Sequence, residues 1–178
     1  VGVSTNGTLL ARDVTAGTPM STALRDAGVR TVNISLDTLD REDYRLTTGR
    51  DFLPEVMAGI DAAIAAQFES IKLNCVLMRG RNQEHLHSLV EYAAERNLLL
   101  RFIELMPVTS TDVLTDENFL PIAEARRLIE REFGPLVVDP DFKTNGPAIY
   151  YRVTDSPQRI GFIGAMTNLH FCESCNKW

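Results

Sequence analysis

Four times along the chain, an apolar run of β-type residues is followed by a polar loop and then by a helical pattern. The runs occupy residues 1–4, 31–36, 71–78 and 99–105. Strands that alternate with helices lie parallel and are joined by crossovers, so this rhythm restricts the fold to the α/β class. A sheet built this way is either doubly wound or closed into a barrel, and the strand faces choose between the two. In residues 31–37, Asn33, Ser35 and Asp37 share one face, and Val32, Ile34 and Leu36 share the other. In residues 71–77, Lys72 and Asn74 stand opposite Ile71, Leu73, Cys75 and Leu77. A parallel sheet with helices on both sides is apolar on both faces. Polar residues on one face of successive strands therefore predict a barrel with a wet lumen. Arg101 and Glu104 have opposite parity, so both enter that lumen only if their strand bends or ends between them.

The helical segments carry start and stop signals. The first helix is predicted from about Pro19, with Gly28 at its C′ position. Pro54 suits the first turn of a second, whose stripe is Val56, Ile60, Ala63, Ile64 and Gln67. Asn82 is the expected N-cap of a third, with Leu86, Leu89, Val90, Ala93 and Ala94 on one face. A fourth runs from about Pro121 to Phe133, buries Ile122, Ala125, Ile129 and Phe133, and ends at Gly134. Beyond it, residues 148–153 and 159–163 read as a hairpin outside the β/α repeat. The expected organisation is an incomplete parallel β/α barrel, about four strand–helix units of six, over residues 1–134. A C-terminal hairpin segment follows over residues 135–178. Both ends read as cut from a longer protein: Val1-Gly2-Val3-Ser4 looks like a strand already under way, and Trp178 closely follows Cys175.

Composition excludes some functions. A net charge of -6 argues against a general nucleic-acid binder, which needs a basic face. No apolar stretch approaches the length of a membrane span, and no secretory signal is present. The three cysteines do not form a secreted disulfide pattern, and a reducing cytoplasm is the expected location.

Two sets of residues point to chemistry. The first is Cys172-Glu173-Ser174-Cys175, because two thiolates at this spacing reach one metal or cluster. A redox dithiol or a zinc clip is the alternative. Cys75, on an apolar strand face, is assigned to the core, and His170 to a local structural role. The second set lies toward strand C-terminal ends, where barrels build active sites. It comprises Ser4-Thr5-Asn6-Gly7, Ser35 and Asp37, Lys72 and Asn74, and residues 101–106. Loop polarity and capping is the competing account, and Asn6-Gly7 is also a turn signal. Lys72 resists that account, since an ammonium inside a parallel strand is costly to bury without an anionic partner. Arg101 could serve the same anion or pair with a carboxylate. Met106, by spacing alone, belongs to the core.

Six ordered motifs carry a resemblance that spans essentially the whole chain. They are Ser4-Thr5-Asn6-Gly7-Thr8-Leu9-Leu10, Val32-Asn33-Ile34-Ser35-Leu36-Asp37, Ile71-Lys72-Leu73-Asn74-Cys75-Val76, Met78-Arg79-Gly80, Arg101-Phe102-Ile103-Glu104-Leu105-Met106-Pro107 and Phe171-Cys172-Glu173-Ser174-Cys175-Asn176. Together they resemble the GTP 3′,8-cyclase family (molybdenum cofactor biosynthesis protein A) of radical S-adenosylmethionine enzymes. The resemblance implies a radical lyase or cyclase that rearranges GTP in the first step of molybdenum cofactor (molybdopterin) biosynthesis. It implies two 4Fe-4S clusters in the whole enzyme: one cleaves S-adenosylmethionine, and the other binds the guanine base through an iron without a protein thiolate. Carried over by position, Cys172 and Cys175 are ligands of the second cluster. Ser4, Lys72, Arg101 and Lys177 are GTP contacts, and Ser35 and Met106 are S-adenosylmethionine contacts. A homodimer, and a downstream cyclic pyranopterin monophosphate synthase as functional partner, are also implied. The family's first-cluster Cys-x-x-x-Cys-x-x-Cys loop, its Gly-Gly-Glu-Pro strand and its third second-cluster cysteine do not occur in these residues, so turnover by this segment alone is not expected. Where the family has Arg-x-Arg, this chain has Lys177-Trp178, and an ammonium lacks the bidentate fork of a guanidinium. Two alternatives stay open: another radical S-adenosylmethionine enzyme with an auxiliary cluster, and a non-catalytic zinc-binding module.

Overall fold

The computed structural model describes residues 1–106, 115, 117–144, 146–154, 156–164 and 166–167. They cluster into two units, Val1–Asn74 and Cys75–Trp178. The fold is mixed α/β with mostly parallel strand pairing, and five α-helices occur among the described residues. None of these helices is long and apolar enough to cross a membrane.

In the first unit, strand β1 (Gly2–Thr5) leads to a small hairpin of β2 (Asp13–Thr15) and β3 (Thr18–Pro19), then to α1 (Met20–Asp26). Helix α1 ends as expected: Gly28 has φ +92°, its N–H donates to Arg25, and the N–H of Val29 donates to Leu24. These are the paired bonds of a Schellman cap, and they require the left-handed residue that glycine supplies. Strand β4 (Thr31–Ser35) follows, then α2 (Arg41–Thr48), α3 (Leu53–Ala65) and β5 (Ser70–Leu77), which runs across the boundary of the two units. β4 pairs in parallel with β1 on one side and β5 on the other.

Helix α2 has no counterpart in the sequence expectations. Half of its residues are charged and only Tyr44 is buried, so no apolar stripe announces it. Its ends do: Asp40 accepts hydrogen bonds from the N–H groups of Glu42 (2.8 Å) and Asp43 (2.9 Å), and Gly49 closes it at φ +69°. In α3 the buried face is Leu53, Val56, Gly59, Ile60 and Ala63, while Ile64 and Gln67 are exposed. The stripe therefore turns away from the predicted Ile64–Gln67 side. The small residue Gly59 marks it, because α3 approaches Gly7 of the loop after β1 there too closely for a Cβ.

In the second unit, α4 (Leu86–Glu95) precedes β6 (Leu99–Glu104), α5 (Ile122–Phe133), β7 (Leu136–Val138), β8 (Ile149–Val153) and β9 (Arg159–Ile163). Asn82 does not cap α4. A single 3-10 turn, Gln83–His85, intervenes, and the Asn82 side chain turns back to the end of β5. Its Oδ1 accepts from the N–H of Met78 at 2.9 Å, and its Nδ2 donates to the Val76 carbonyl at 2.8 Å. Closing the strand end satisfies backbone groups that burial would otherwise strand. On α4, Leu86, Leu89, Val90 and Ala93 are buried as expected, but Tyr92 joins them and Ala94 is exposed. The predicted hairpin forms as β8 and β9. It is not outside the parallel pattern, however, because β9 pairs in parallel with β6, placing Arg101 opposite Gly161 and Phe102 opposite Phe162.

Candidate functional site

The predicted polar strand face of the first unit becomes a lateral row. Ser4 on β1 is in register with Asn33 on β4, and Asn33 is in register with Lys72 on β5. Register partners on parallel strands point to the same side of a sheet. Ser4, Asn33 and Lys72 therefore share one face, and the next row along β4 and β5 pairs Ser35 with Asn74. Asn33 and Lys72 are 8% and 5% exposed, so both polar groups are held almost out of water. Asn33 Nδ2 donates to Ser4 Oγ at 3.1 Å, which aims the hydroxyl along the row. Ser35 is exposed at the end of β4.

The loop after β1 has turn chemistry, as Asn6-Gly7 suggested. Thr5 Oγ1 accepts from the N–H of Gly7 at 3.0 Å, and Asn6 Oδ1 accepts from the N–H of Thr8 at 3.2 Å. Gly7 has φ +82°, and a Cβ there would lie 2.9 Å from Ile34 Cγ2. Asn6 thus orders its own loop, and Ser4 stays on the strand.

Arg101 belongs to the second unit and is 4% exposed. It stands in a row with Gly161 on β9 and Tyr150 on β8. A Cβ on Gly161 would lie 2.9 Å from Tyr150 Cε1 and 3.0 Å from Arg101 Cγ, so the glycine lets the ring and the arginine stem meet. Burial holds the Arg101 pKa below its ordinary value, and the charge and hydrogen bonding of Tyr150 only partly oppose this. Tyr150 also hydrogen-bonds Thr144 Oγ1 at 2.8 Å and forms a T-shaped pair with Phe142 at a centroid distance of 4.9 Å. Tyr150 was missed from the sequence because it comes from the hairpin, and alternation alone does not give the register. Glu104, of opposite parity on the unbroken β6, faces α5 instead: its Oε1 accepts from the N–H of Ile122 at 3.0 Å. Met106 lies just past β6 and is half-buried. Cys75 is fully buried, in keeping with a core assignment.

The Met78-Arg79-Gly80 motif builds a clamp. Arg79 Nη1 and Nη2 grip the Glu124 carboxylate of α5 at 2.8 and 2.6 Å, and its Nε donates to the Phe119 carbonyl at 3.1 Å. The Arg79 hydrogen bond holds the Glu124 carboxyl below its usual value near 4.5. A depressed carboxylate contributes stability above the unfolded pKa and loses it as pH falls through the folded one. Both side chains are about a third exposed, 35% and 34%, so solvent screening keeps the contribution of the pair small. Glu124→Gln is expected to lower the urea midpoint at pH 7, with the difference from wild type shrinking as pH drops below about 4.5. A constant difference down to strongly acid pH would show that the ion pair is not its source.

Cys172, Cys175, Lys177 and His170 lie outside the described residues. Among the described residues, no group of three His, Cys, Asp or Glu is placed to hold a metal ion.

Comparison with known proteins gives the chain its relations. Residues 1–93 match the Radical SAM superfamily, and residues 98–178 match Molybdenum Cofactor Synthesis C. A GTP 3′,8-cyclase of Ectopseudomonas mendocina is 41% identical over 178 residues, 99% of this chain and 51% of that protein. A GTP 3′,8-cyclase of Moorella thermoacetica is 38% identical over 177 residues, 99% of this chain and 52% of that protein. A protein of Pseudomonas aeruginosa, GTP 3′,8-cyclase 2, is 41% identical over 179 residues, 99% of this chain and 51% of that protein. The chain spans about half the length of the curated relatives it matches. The superfamily match covers more than half of the chain itself, and its parallel α/β architecture agrees with that match. This chain belongs to the radical SAM superfamily.

Proposed function

We propose that the chain is part of a GTP 3′,8-cyclase that rearranges GTP in the first step of molybdenum cofactor biosynthesis. The observation that carries this reading is the row Ser4–Asn33–Lys72, which holds a nearly buried ammonium beside hydrogen-bonding groups on parallel strands. Such a charge is stabilised by a polyanion, and each charge-assisted hydrogen bond to a phosphate contributes about 1.5–3 kcal/mol. In this reading Lys72 takes the triphosphate. The Ser4 hydroxyl, aimed by Asn33, hydrogen-bonds the same nucleotide. Arg101 and Lys177 add positive charge for GTP, and Ser35 and Met106 contact S-adenosylmethionine. Cys172 and Cys175 are thiolate ligands of a 4Fe-4S cluster. With S-adenosylmethionine, iron–sulfur chemistry supplies hydrogen abstraction by a 5′-deoxyadenosyl radical. The protein works in the cytoplasm, as a homodimer, and hands its product to cyclic pyranopterin monophosphate synthase.

Reconstitution of the longer protein that carries this segment, with iron and sulfide under anaerobic conditions, tests the reading. A brown protein with broad visible absorption is expected, its intensity falling when Cys172 and Cys175 are both replaced by Ala. A colourless protein holding stoichiometric zinc would favour the zinc-module alternative and end this one.

A further inference from the structure

Glu104 is 1% exposed and lies at the last position of β6. Its two oxygens accept four hydrogen bonds. Oε1 takes the N–H of Ile122 at 3.0 Å and the hydroxyl of Thr167 at 2.9 Å. Oε2 takes the N–H groups of Met166 and Thr167 at 2.9 and 3.0 Å. One carboxylate therefore joins three pieces of the second unit: the end of β6, the start of α5, and the chain past β9. Each partner has a reason to need it. The first N–H groups of a helix have no acceptor inside the helix. The residue at the N-cap of α5 is Pro121, whose side chain cannot accept, so the acceptor comes from β6. Negative charge is also favoured at that helix end. Met166 and Thr167 follow β9, and among the described residues no strand pairing takes up their N–H groups. All three backbone partners are donors, which suits an ionised carboxylate, an acceptor on both oxygens.

Thr167 precedes Cys172 by a few residues in the sequence. We propose that Glu104 is a positioning residue for the cysteine pair: it latches Met166 and Thr167, which come shortly before Cys172 in the sequence, to the end of β6 and the start of α5. The inference rests on the reading of that cysteine pair as a metal-binding site. A glutamine at this position keeps the shape but not the acceptors. Whichever way its amide turns, its NH2 faces at least one backbone N–H, of Ile122 or of Met166 and Thr167.

The test uses the whole chain, with Glu104→Gln and, as a milder variant that removes one bond, Thr167→Val. Amide hydrogen exchange reports the latch, and cobalt(II) titration under reducing conditions, followed by thiolate-to-cobalt absorption, reports the cysteine pair. Glu104→Gln is expected to speed exchange at Met166 and Thr167 by about tenfold, the equivalent of one lost charge-assisted hydrogen bond. Thr167→Val is expected to give a smaller change of the same sign. Exchange at Ile160 and Phe162, within the β9 ladder, should stay slow and so report intact folding. Cobalt affinity should fall by about tenfold in Glu104→Gln. Unchanged exchange at Met166 and Thr167 overturns the latch. Faster exchange with unchanged cobalt affinity leaves Glu104 as a local brace and overturns its positioning role. Absence of any thiolate-to-cobalt band in the wild-type chain instead removes the metal reading, and the positioning role with it.

Discussion

Replacing Lys72 by methionine is expected to weaken GTP binding by about ten- to a hundredfold while leaving the protein folded. The two halves of that expectation have different physical origins. Methionine matches the lysine stem in length and lies on a strand whose other face is fully buried at Leu73, Cys75 and Leu77. Methionine also removes the desolvation cost of a nearly buried ammonium, which offsets part of what the fold loses with the interactions of Lys72 inside it. A folded protein with a urea midpoint modestly below that of wild type is expected. A triphosphate loses a donor with a full charge in a site shielded from water. One or two charge-assisted hydrogen bonds at about 1.5 kcal/mol each correspond to the stated range. Isothermal titration with GTP on the longer protein, wild type against Lys72→Met, measures it. Equal affinity would mean that the ammonium serves the fold alone. Arginine at the same position offers a useful comparison, since a planar fork on a bulkier head does not reproduce a compact point charge in a crowded row.

Much of this row was legible from the sequence, and the part that was not has a definite cause. Alternation put Asn33 with Ser35 and Lys72 with Asn74. It could not align one strand with its neighbour, because register is fixed by pairing across the sheet. Ser4, Asn33 and Lys72 become one row only through the parallel ladders. The same limit hid Tyr150, whose place beside Arg101 depends on Gly161 opposite that arginine. Among the helices, amphipathic ones were found and α2 was missed, since it buries only Tyr44. Its Asp40 cap and its closing Gly49 were present in the sequence and would have revealed it. Asn82 misled in the opposite way. Its residue type suits an N-cap, yet the carbonyl and N–H groups at the end of β5 compete for the same amide and hold it. Glu104 fits its parity once its partners are identified as backbone donors of α5 and of Met166 and Thr167.

A change of one methyl group, Gly59→Ala, is expected to have the largest effect on stability. Helix propensity alone predicts the opposite sign, because alanine in a helix interior is favoured over glycine by about 1 kcal/mol. Packing decides otherwise. A Cβ at Gly59 would run into the carbonyl oxygen of Gly7 and lie 3.1 Å from its carbonyl carbon and 3.4 Å from Leu10 Cβ. These are backbone atoms and a Cβ fixed directly to the backbone, which cannot swing aside as the end of a long side chain can. The loop cannot retreat easily either, since Gly7 sits against Ile34 of β4 and is tied by its N–H to Thr5. Overpacking of this kind costs about 1–3 kcal/mol. Here it also separates α3 from the loop, loosening contacts made by Val56 and Ile60, both fully buried. The urea midpoint of Gly59→Ala should fall despite the better helix former, and a rise would refute the close approach of α3 to this loop. The same variant bears on the site, because the strained loop continues from Ser4 and Thr5. Its GTP affinity should drop in step with its stability, whereas Lys72→Met loses far more affinity than its change in stability accounts for. Measuring both quantities on both variants therefore separates a residue that holds the nucleotide from one that holds the strand carrying Ser4.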